Sequence, residues 1–191
     1  MKFKTKYSCL SQNELQNGLF KIIPIRYEDR NKIMNWRNEQ MYHLRQNVKL
    51  TKEDQENYFK KVVSELFDQE QPNQILFSFI ENSVCIGYGG LVHISWIDKN
   101  AEISFVMNSK LENEYFCKYW TIFLKLIEQV AFKELNFHKI FTYAFDLRPK
   151  LYRALELCDF QKEAILKNHC FFKGVYKDVI IHSKFNKLNA L

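Results

Sequence analysis

One stretch, residues 101–160, constrains the fold more than any other part of the chain. It begins with Ala-Glu-Ile-Ser-Phe-Val-Met at 101–107, which predicts a strand, and continues through a polar and aromatic loop. Apolar residues then recur at helical spacing, which predicts an amphipathic helix over 115–135. A second strand is predicted at 139–145, followed by a short helix opened by Pro149 and a turn at 158–160.

The rest of the chain adds strands and two helices. Strands are predicted at 19–25, 75–81 and 84–96, and towards the C-terminus at 163–167, 169–172 and 178–185. Glu28 and Asp29 favour a first helix because their charge offsets the helix dipole. Thr51-Lys-Glu-Asp is a capping box for a second helix, with apolar rows at 58, 62, 66 and at 59, 63, 67.

Glycines and the N-terminal segment complete this prediction. Residues 1–18 have no clear period and end at Gly18, a predicted turn. Gly87, Gly89 and Gly90 lie inside a predicted strand, where glycine indicates a bulge or a close backbone approach. The order of elements predicts one α+β domain over 1–191, with 1–18 as an N-terminal extension. Its sheet is expected to be single, mixed and largely antiparallel, flanked by helices.

Composition excludes several classes of protein. The chain has 191 residues, 47% of them hydrophobic, which is typical of a folded domain. No apolar run reaches the ~18 residues of a membrane span, and the N-terminus lacks the apolar segment of a signal peptide, so a cytoplasmic protein without a membrane partner is expected. The formal net charge of +6 suits an anionic ligand, but the lysines are spread out and no nucleic-acid partner is expected.

Cysteine and histidine spacing gives no metal site. The five cysteines are scattered without a C-x-x-C pair, which argues against a disulfide framework and against zinc. The histidines have no ligand spacing either, so we expect no metal.

Four short stretches resemble one known family. They are Trp36-Arg37-Asn38, Ile86-Gly-Tyr-Gly-Gly-Leu91, Ala101-Glu-Ile-Ser-Phe105 and Leu157-Cys-Asp-Phe160. Together with the order of elements over 19–185, they resemble the GNAT superfamily of N-acetyltransferases, especially its nucleotide-amino-sugar and ribosomal-protein members. In the last stretch Asp159 replaces the family's glycine, and Asp tolerates the left-handed conformation better than most residues.

The cofactor loop departs from the family pattern. The resemblance implies acetyl-CoA as co-substrate, with its pyrophosphate on a [Gln/Arg]-x-x-Gly-x-[Gly/Ala] loop and the following helix N-terminus. Residues 109–120 contain no glycine, and Glu112 and Glu114 stand near the expected phosphate position, offset by Lys110 and Lys118.

The resemblance also implies roles for individual residues. Glu102 would be the general base, acting through water; alternatively it points to solvent or binds Arg37. A main-chain amide near 105–107 would stabilise the oxyanion. The family's thiolate acid falls on Leu155, so Tyr152, one turn earlier, is the substitute candidate, with ordinary packing as its alternative.

The remaining candidates for cofactor contact are Phe105, Val106, Met107, Tyr115, Phe116, Cys117, Lys118, Tyr119 and Arg148. Acceptor candidates are Trp36, Arg37, Asn38, His43, Tyr88 and His93, and His93 could also serve as a base.

Three functions follow from the resemblance. The first is acetyl transfer to a primary amine, most readily that of a small, nucleotide-linked amino sugar, which the positive charge favours. The second is N-terminal acetylation of a ribosomal-type protein, and the third is a non-catalytic GNAT-like binding module. A homodimer is left open.

Overall fold

A computed structural model describes residues 3–44 and 46–187 of the chain. The strands are β1 (Leu15–Asn17), β2 (Phe20–Pro24), β3 (Ile75–Glu81), β4 (Val84–Ser95), β5 (Asn100–Met107), β6 (Lys139–Phe145), β7 (Gln161–Phe172) and β8 (Val175–Phe185). The α-helices are α1 (Arg30–Glu39), α2 (Lys52–Tyr58), α3 (Ser64–Leu66), α4 (Glu112–Gln129) and α5 (Lys150–Glu156). Two π-helical segments, Phe59–Val63 and Val130–Glu134, join α2 to α3 and extend α4.

All eight strands form one sheet in the order β1-β2-β3-β4-β5-β6-β8-β7. Every neighbouring pair is antiparallel except β5 and β6, which are parallel, so the predicted mixed and largely antiparallel sheet is confirmed. The parallel pair is short: its register runs only from Asn100↔Lys139 to Glu102↔Phe141. Within the described residues β5 and β6 form no ladder pair beyond that point, and a wedge opens between them.

The two faces of β5 have different environments because side chains alternate along a strand. Phe105 faces α4, where its ring stacks on Phe123 at 4.1 Å between centroids and meets Trp120 edge-on at 5.0 Å. Glu102 and Ser104 therefore point to the opposite face. This is the face covered by α1, since Tyr88, which shares it through the register Tyr88↔Val106, bonds to Arg37 of that helix.

Much of the local structure agrees with the sequence. The bounds of β3 and β6 are those predicted, and the capping box at Thr51 and Asp54 is formed. Asp159 adopts φ 60°, the left-handed turn expected at that position. Gly18, with φ 61°, forms the turn between β1 and β2.

Other predictions were wrong. β1 lies within the N-terminal segment that showed no period, β7 is one strand where two were predicted, and α4 begins at Glu112 rather than at 115. Of the two predicted apolar rows after Thr51, Phe59, Val63 and Phe67 are buried as expected, whereas Val62 of the other row is 40% exposed.

The glycines of β4 do allow a close backbone approach. A Cβ atom on Gly89 would lie 2.1 Å from the Ser104 oxygen, and one on Gly90 would lie 1.9 Å from the Ile75 oxygen. Side chains are thus excluded where β4 passes between β3 and β5. In the described residues no helix is long and apolar enough to cross a membrane.

Candidate active site

The wedge between β5 and β6 opens into a cavity of about 470 Å³. Residues 102–105 of β5 and 142–145 of β6 form its two walls, and Arg148 and Leu151 lie beyond the end of β6. Arg37, His43 and Leu44 close it from the α1 side. The cavity therefore reaches both faces of the sheet through the gap between two strands.

Backbone groups of β5 line this gap. The Asn108 N–H donates to the Ile86 carbonyl at 2.8 Å, which fixes the alternation of the β4–β5 ladder. Residues 102, 104 and 106 then bond to β4, and the parallel pair Glu102↔Phe141 uses the Ile103 N–H. Beyond that pair, the Ile103 carbonyl and the N–H and C=O groups of Phe105 and Met107 face the open edge. The Met107 carbonyl accepts from Gln40 Nε2 at 2.7 Å. An extended ligand chain can pair with the remaining groups as a strand would.

A carboxylate and an imidazole are paired at the side of the cavity that faces α1. Glu102 Oε2 lies 2.8 Å from His93 Nδ1, with the carboxylate side chain 14% exposed and the imidazole 64% exposed. His93 occupies the irregular part of β4 between Val92 and Ser95 and has φ 48°. A non-glycine residue in this region is strained, and such strain is concentrated at functional sites. The bulge turns His93 towards Glu102, so two residues selected separately from the sequence form one pair.

Arg37 is held by other partners than Glu102. Its guanidinium donates to the Tyr88 hydroxyl at 2.8 Å and to the Gln46 side-chain oxygen at 3.1 Å. The interaction with Tyr88 is the main reason why the pKa of Arg37 is raised, so the guanidinium stays charged at the cavity wall. Of the two alternatives for Glu102, pairing with Arg37 is not the arrangement seen.

The neighbours of Arg37 in the Trp-Arg-Asn stretch do not line the cavity, and their assignment as acceptor residues stays a prediction. Trp36 is 6% exposed and packs in the core. Asn38 accepts from the Leu50 N–H at 2.8 Å and donates to the Leu50 carbonyl at 2.9 Å, so it holds the loop before α2. Tyr88 is not among the described residues that line the cavity, and its hydroxyl accepts a hydrogen bond from Arg37, which does line it.

A buried ion pair lies at the far end of the cavity. Arg148 Nη2 is 2.6 Å from Glu112 Oε1, with side chains only 10% and 18% exposed. The guanidinium also lies 4.8 Å from the Phe116 ring centroid. Burial lowers the pKa of Arg148 and raises that of Glu112, and in each case the partner's charge opposes the shift. Arg148 thus lies beside the start of α4.

His43 completes this end of the site as a neutral ring. Arg148 Nη1 lies 2.8 Å and 3.1 Å from the two imidazole nitrogens. Burial and the positive charge of Arg148 lower the pKa of His43 to about 3. A guanidinium can only donate hydrogen bonds, so the contact requires a ring nitrogen that accepts.

Four predicted cofactor contacts lie elsewhere, because α4 begins one turn earlier than expected. Tyr115 and Tyr119 stack at 5.3 Å, the Tyr119 hydroxyl donates to Glu81 at 2.7 Å, and Lys118 Nζ lies 5.3 Å from the Phe20 ring. These residues face β2 and β3. None of the four predicted contacts, Tyr115, Cys117, Lys118 and Tyr119, lines the cavity; their assignment to the cofactor stays a prediction.

The turn before α4 uses its own backbone donors. The Lys110 N–H donates to the Asn108 side chain at 3.2 Å, and the Leu111 N–H donates to the Asn108 carbonyl at 2.9 Å. The Glu112 N–H donates to the Ser109 carbonyl. These amides are therefore already used, and the groups left for a ligand here are those on the open edge of β5, within residues 103–107, and the side chain of Arg148.

The predicted thiolate acid, Tyr152, does not line the cavity. Its hydroxyl donates to Asp146 at 2.8 Å and its ring stacks on His182 at 5.2 Å. Burial and the Asp146 carboxylate raise its pKa. Tyr143 of β6 does line the cavity and lies on the same sheet face as Glu102, because the register pairs Glu102 with Phe141 two residues away. Sequence reasoning missed Tyr143; its alternation with Phe141 and Phe145 was the available signal.

Comparison with known proteins gives the family. A family model described as acetyltransferase (GNAT) domain matches residues 22–181. Comparison with curated protein sequences gave no significant match.

The solved structures that resemble this chain include three of spermidine N-acetyltransferases from Vibrio cholerae. One, in complex with CoA and spermine, gives a TM-score of 0.77 at 20% identity, covering 89% of this chain and 97% of that one. Mutant forms of the spermidine/spermine enzyme give 0.74 at 20% identity, covering 90% and 96%. A dodecameric form gives 0.72 at 21% identity, covering 89% and 95%.

At these identities the structural likeness establishes the fold, and the family match extends over most of the sequence. The chain therefore belongs to the GNAT acetyltransferase family: it is an N-acetyltransferase whose co-substrate is acetyl-CoA.

Proposed function

We propose that this enzyme acetylates the amino group of a small acceptor that also carries negative charge, and that a nucleotide-linked amino sugar is the class that fits. The observation that carries the proposal is the charge of the cavity wall towards α1. Arg37, with its charge maintained, and His93 lie there, and Glu102 is the one carboxylate among the described residues that line the cavity. Arg37 could bind a phosphate or carboxylate of the acceptor through two N–H groups.

Aromatic side chains support the same class of acceptor. Tyr143 and Phe145 lie on the Glu102 face of β6 and line the cavity, and Asn73 and Gln74 add neutral polar groups. Flat apolar rings beside amide groups suit a sugar or a nucleobase.

The reaction requires a base, an oxyanion donor and an acid. Glu102, oriented by His93, takes the proton of the acceptor ammonium directly or through one water molecule. Bound acetyl-CoA supplies the activated thioester; the amine nitrogen bonds to the acetyl carbon, the C–S bond breaks, and the sulfur takes a proton. N–H groups on the open edge of β5, with Phe105 the first candidate, donate to the carbonyl oxygen as it gains charge.

The acid has two candidates. Tyr152 is the candidate from the sequence, but its hydroxyl would first have to break its hydrogen bond to Asp146. Tyr143, in the cavity wall, is the better placed of the two.

A polyamine is the second candidate acceptor, favoured by the names of the similar solved structures. Spermidine and spermine carry several ammonium groups, and a site for them should offer several carboxylates. Charge in this cavity favours the anionic acceptor over the polyamine. A peptide N-terminus, the ribosomal-protein alternative, calls for an open acidic groove and fits less well.

Acceptor specificity can be tested by following CoA release with purified enzyme. We expect a higher kcat/KM for a nucleotide-linked amino sugar than for spermidine or a peptide with a free N-terminus. Replacing Arg37 by Leu should raise KM for the charged acceptor and leave KM for an uncharged amino sugar within twofold. A higher kcat/KM for spermidine than for any anionic amine would refute the proposal.

A further inference from the structure

Polar groups form a continuous line across the end of the wedge. Gln40, only 1% exposed, donates from Nε2 to the Met107 carbonyl, and its Oε1 lies 3.2 Å from His43 Nε2. His43 contacts Arg148, and Arg148 ends the line on the Glu112 carboxylate. The line consists of Met107, Gln40, His43, Arg148 and Glu112. It joins β5, α1, the segment after β6 and the first turn of α4.

We propose that the Glu112 carboxylate occupies the position of a ligand phosphate on Arg148, and that the diphosphate of acetyl-CoA binds by displacing it. This rests on the acetyl-CoA dependence of the proposed reaction. Glu112 would then be an internal competitor that sets the affinity for the co-substrate.

The first support is that backbone donors of this turn are already used. The amides of Lys110, Leu111 and Glu112 already have acceptors in Asn108 and Ser109. A diphosphate arriving at the start of α4 therefore depends on side-chain charge. Arg148 lines the cavity there and presents the planar fork that binds phosphate oxygens.

The second support is the position of Glu112 itself. A carboxylate in the first turn of a helix is stabilised by the same dipole that attracts a phosphate. Its side chain is largely buried with Arg148, so both groups have lost most of their hydration, and such a pair is a weak source of stability. Exchange of one carboxylate charge for a diphosphate strengthens the attraction to the same guanidinium.

The third support is the way in which Arg148 is held. His43 contacts Nη1 while Glu112 binds Nη2, and the Phe116 ring lies 4.8 Å from the guanidinium. Loss of Glu112 leaves the other contacts in place. The guanidinium would remain oriented for an incoming phosphate.

Isothermal titration of the full chain with two probes tests this exchange. The probes are CoA and pantetheine, which has the same thiol arm without the nucleotide diphosphate. Glu112→Gln should lower the Kd for CoA at least tenfold and leave the Kd for pantetheine within twofold. Arg148→Gln combined with Glu112→Gln should remove the gain.

Glu114→Gln is the matched control. Glu114 lies in the same first turn but is exposed, and its removal changes the net charge equally. It should change the Kd for CoA by less than twofold. Equal effects of the two substitutions, or weaker CoA binding by Glu112→Gln, would overturn the inference. Should Glu112→Gln fail to fold, Glu112→Asp withdraws the charge by one methylene and should improve CoA binding by a smaller factor; no improvement would overturn the inference as well.

The outcomes separate this inference from the proposed function. If CoA and pantetheine bind and Glu112→Gln has no selective effect, the exchange is wrong and acetyl transfer stands. If neither the wild type nor any variant binds either probe, both fail together.

Discussion

Acidification should lower the free energy of unfolding of the wild type more than that of a variant that lacks the buried imidazole of His43. The pKa of His43 falls from 6.5 in the unfolded chain to about 3 in the folded one. As the pH drops below 6.5 the unfolded chain takes up a proton that the folded chain refuses, so the free energy of unfolding decreases. The decrease continues until the pH approaches about 3, where the folded imidazole also becomes protonated.

The size of the effect follows from the two pKa values. At about pH 5 the unfolded chain is almost fully protonated at this site and the folded chain is not, which lowers the free energy of unfolding by about 2 kcal/mol relative to neutral pH. For a chain of this length, that corresponds to a fall in Tm of about 4–8 °C.

His43→Asn removes the titration and isolates the effect from that of other groups. Thermal unfolding of the wild type and of His43→Asn is followed by circular dichroism between pH 7.5 and pH 4.5. As the pH falls from 7.5 to about 5, the Tm of the wild type should fall by about 4–8 °C more than the Tm of His43→Asn. The exposed His138 gives the control, since His138→Asn should follow the wild type. Parallel Tm curves for the wild type and His43→Asn would refute the reasoning.

Three further predictions concern catalysis and packing. Glu102→Gln should lower kcat about 10²–10⁴-fold with an unchanged Kd for CoA, measured by steady-state kinetics and calorimetry; wild-type kcat would reject Glu102 as the base. Tyr143→Phe should lower kcat more than Tyr152→Phe does, and the reverse order would return the acid role to Tyr152. Gly90→Ala should lower the free energy of unfolding by about 1–3 kcal/mol in urea, because its Cβ would lie 1.9 Å from the Ile75 oxygen; an unchanged midpoint would contradict the close approach.

Sequence reasoning located most of the sheet because its strands are strongly marked. β3 and β6 are runs of β-branched and aromatic residues, and their predicted bounds match the structure. β1 has only three residues, Leu-Gln-Asn, which is too short to show a period. The start of α4 was missed because Asn108 caps a 3-10 turn at Ser109–Leu111, and α4 follows that turn directly without a side-chain cap of its own at Leu111.

At the site, the sequence identified residues whose chemistry is visible in a single side chain. Glu102, His93, Arg37 and Arg148 belong to this group, and all four line the cavity. Gln40 was not identified, because its role depends on contacts with β5 and with His43 that only the fold creates.

The Trp-Arg-Asn stretch shows a different limit. Successive helical residues point about 100° apart, so Trp36 enters the core while Arg37 reaches the cavity. Asn38 turns to Leu50. A motif read along the sequence cannot show which of its members shares a face with the site.

Pairing of acetyl-CoA with the open edge of β5 is tested most directly by amide hydrogen exchange measured by NMR. Addition of acetyl-CoA should slow exchange at Phe105 and Met107, whose N–H groups face the wedge, and should leave Ser104, which already bonds to β4, almost unchanged. Unchanged exchange at Phe105 and Met107 in the presence of saturating acetyl-CoA would contradict the account.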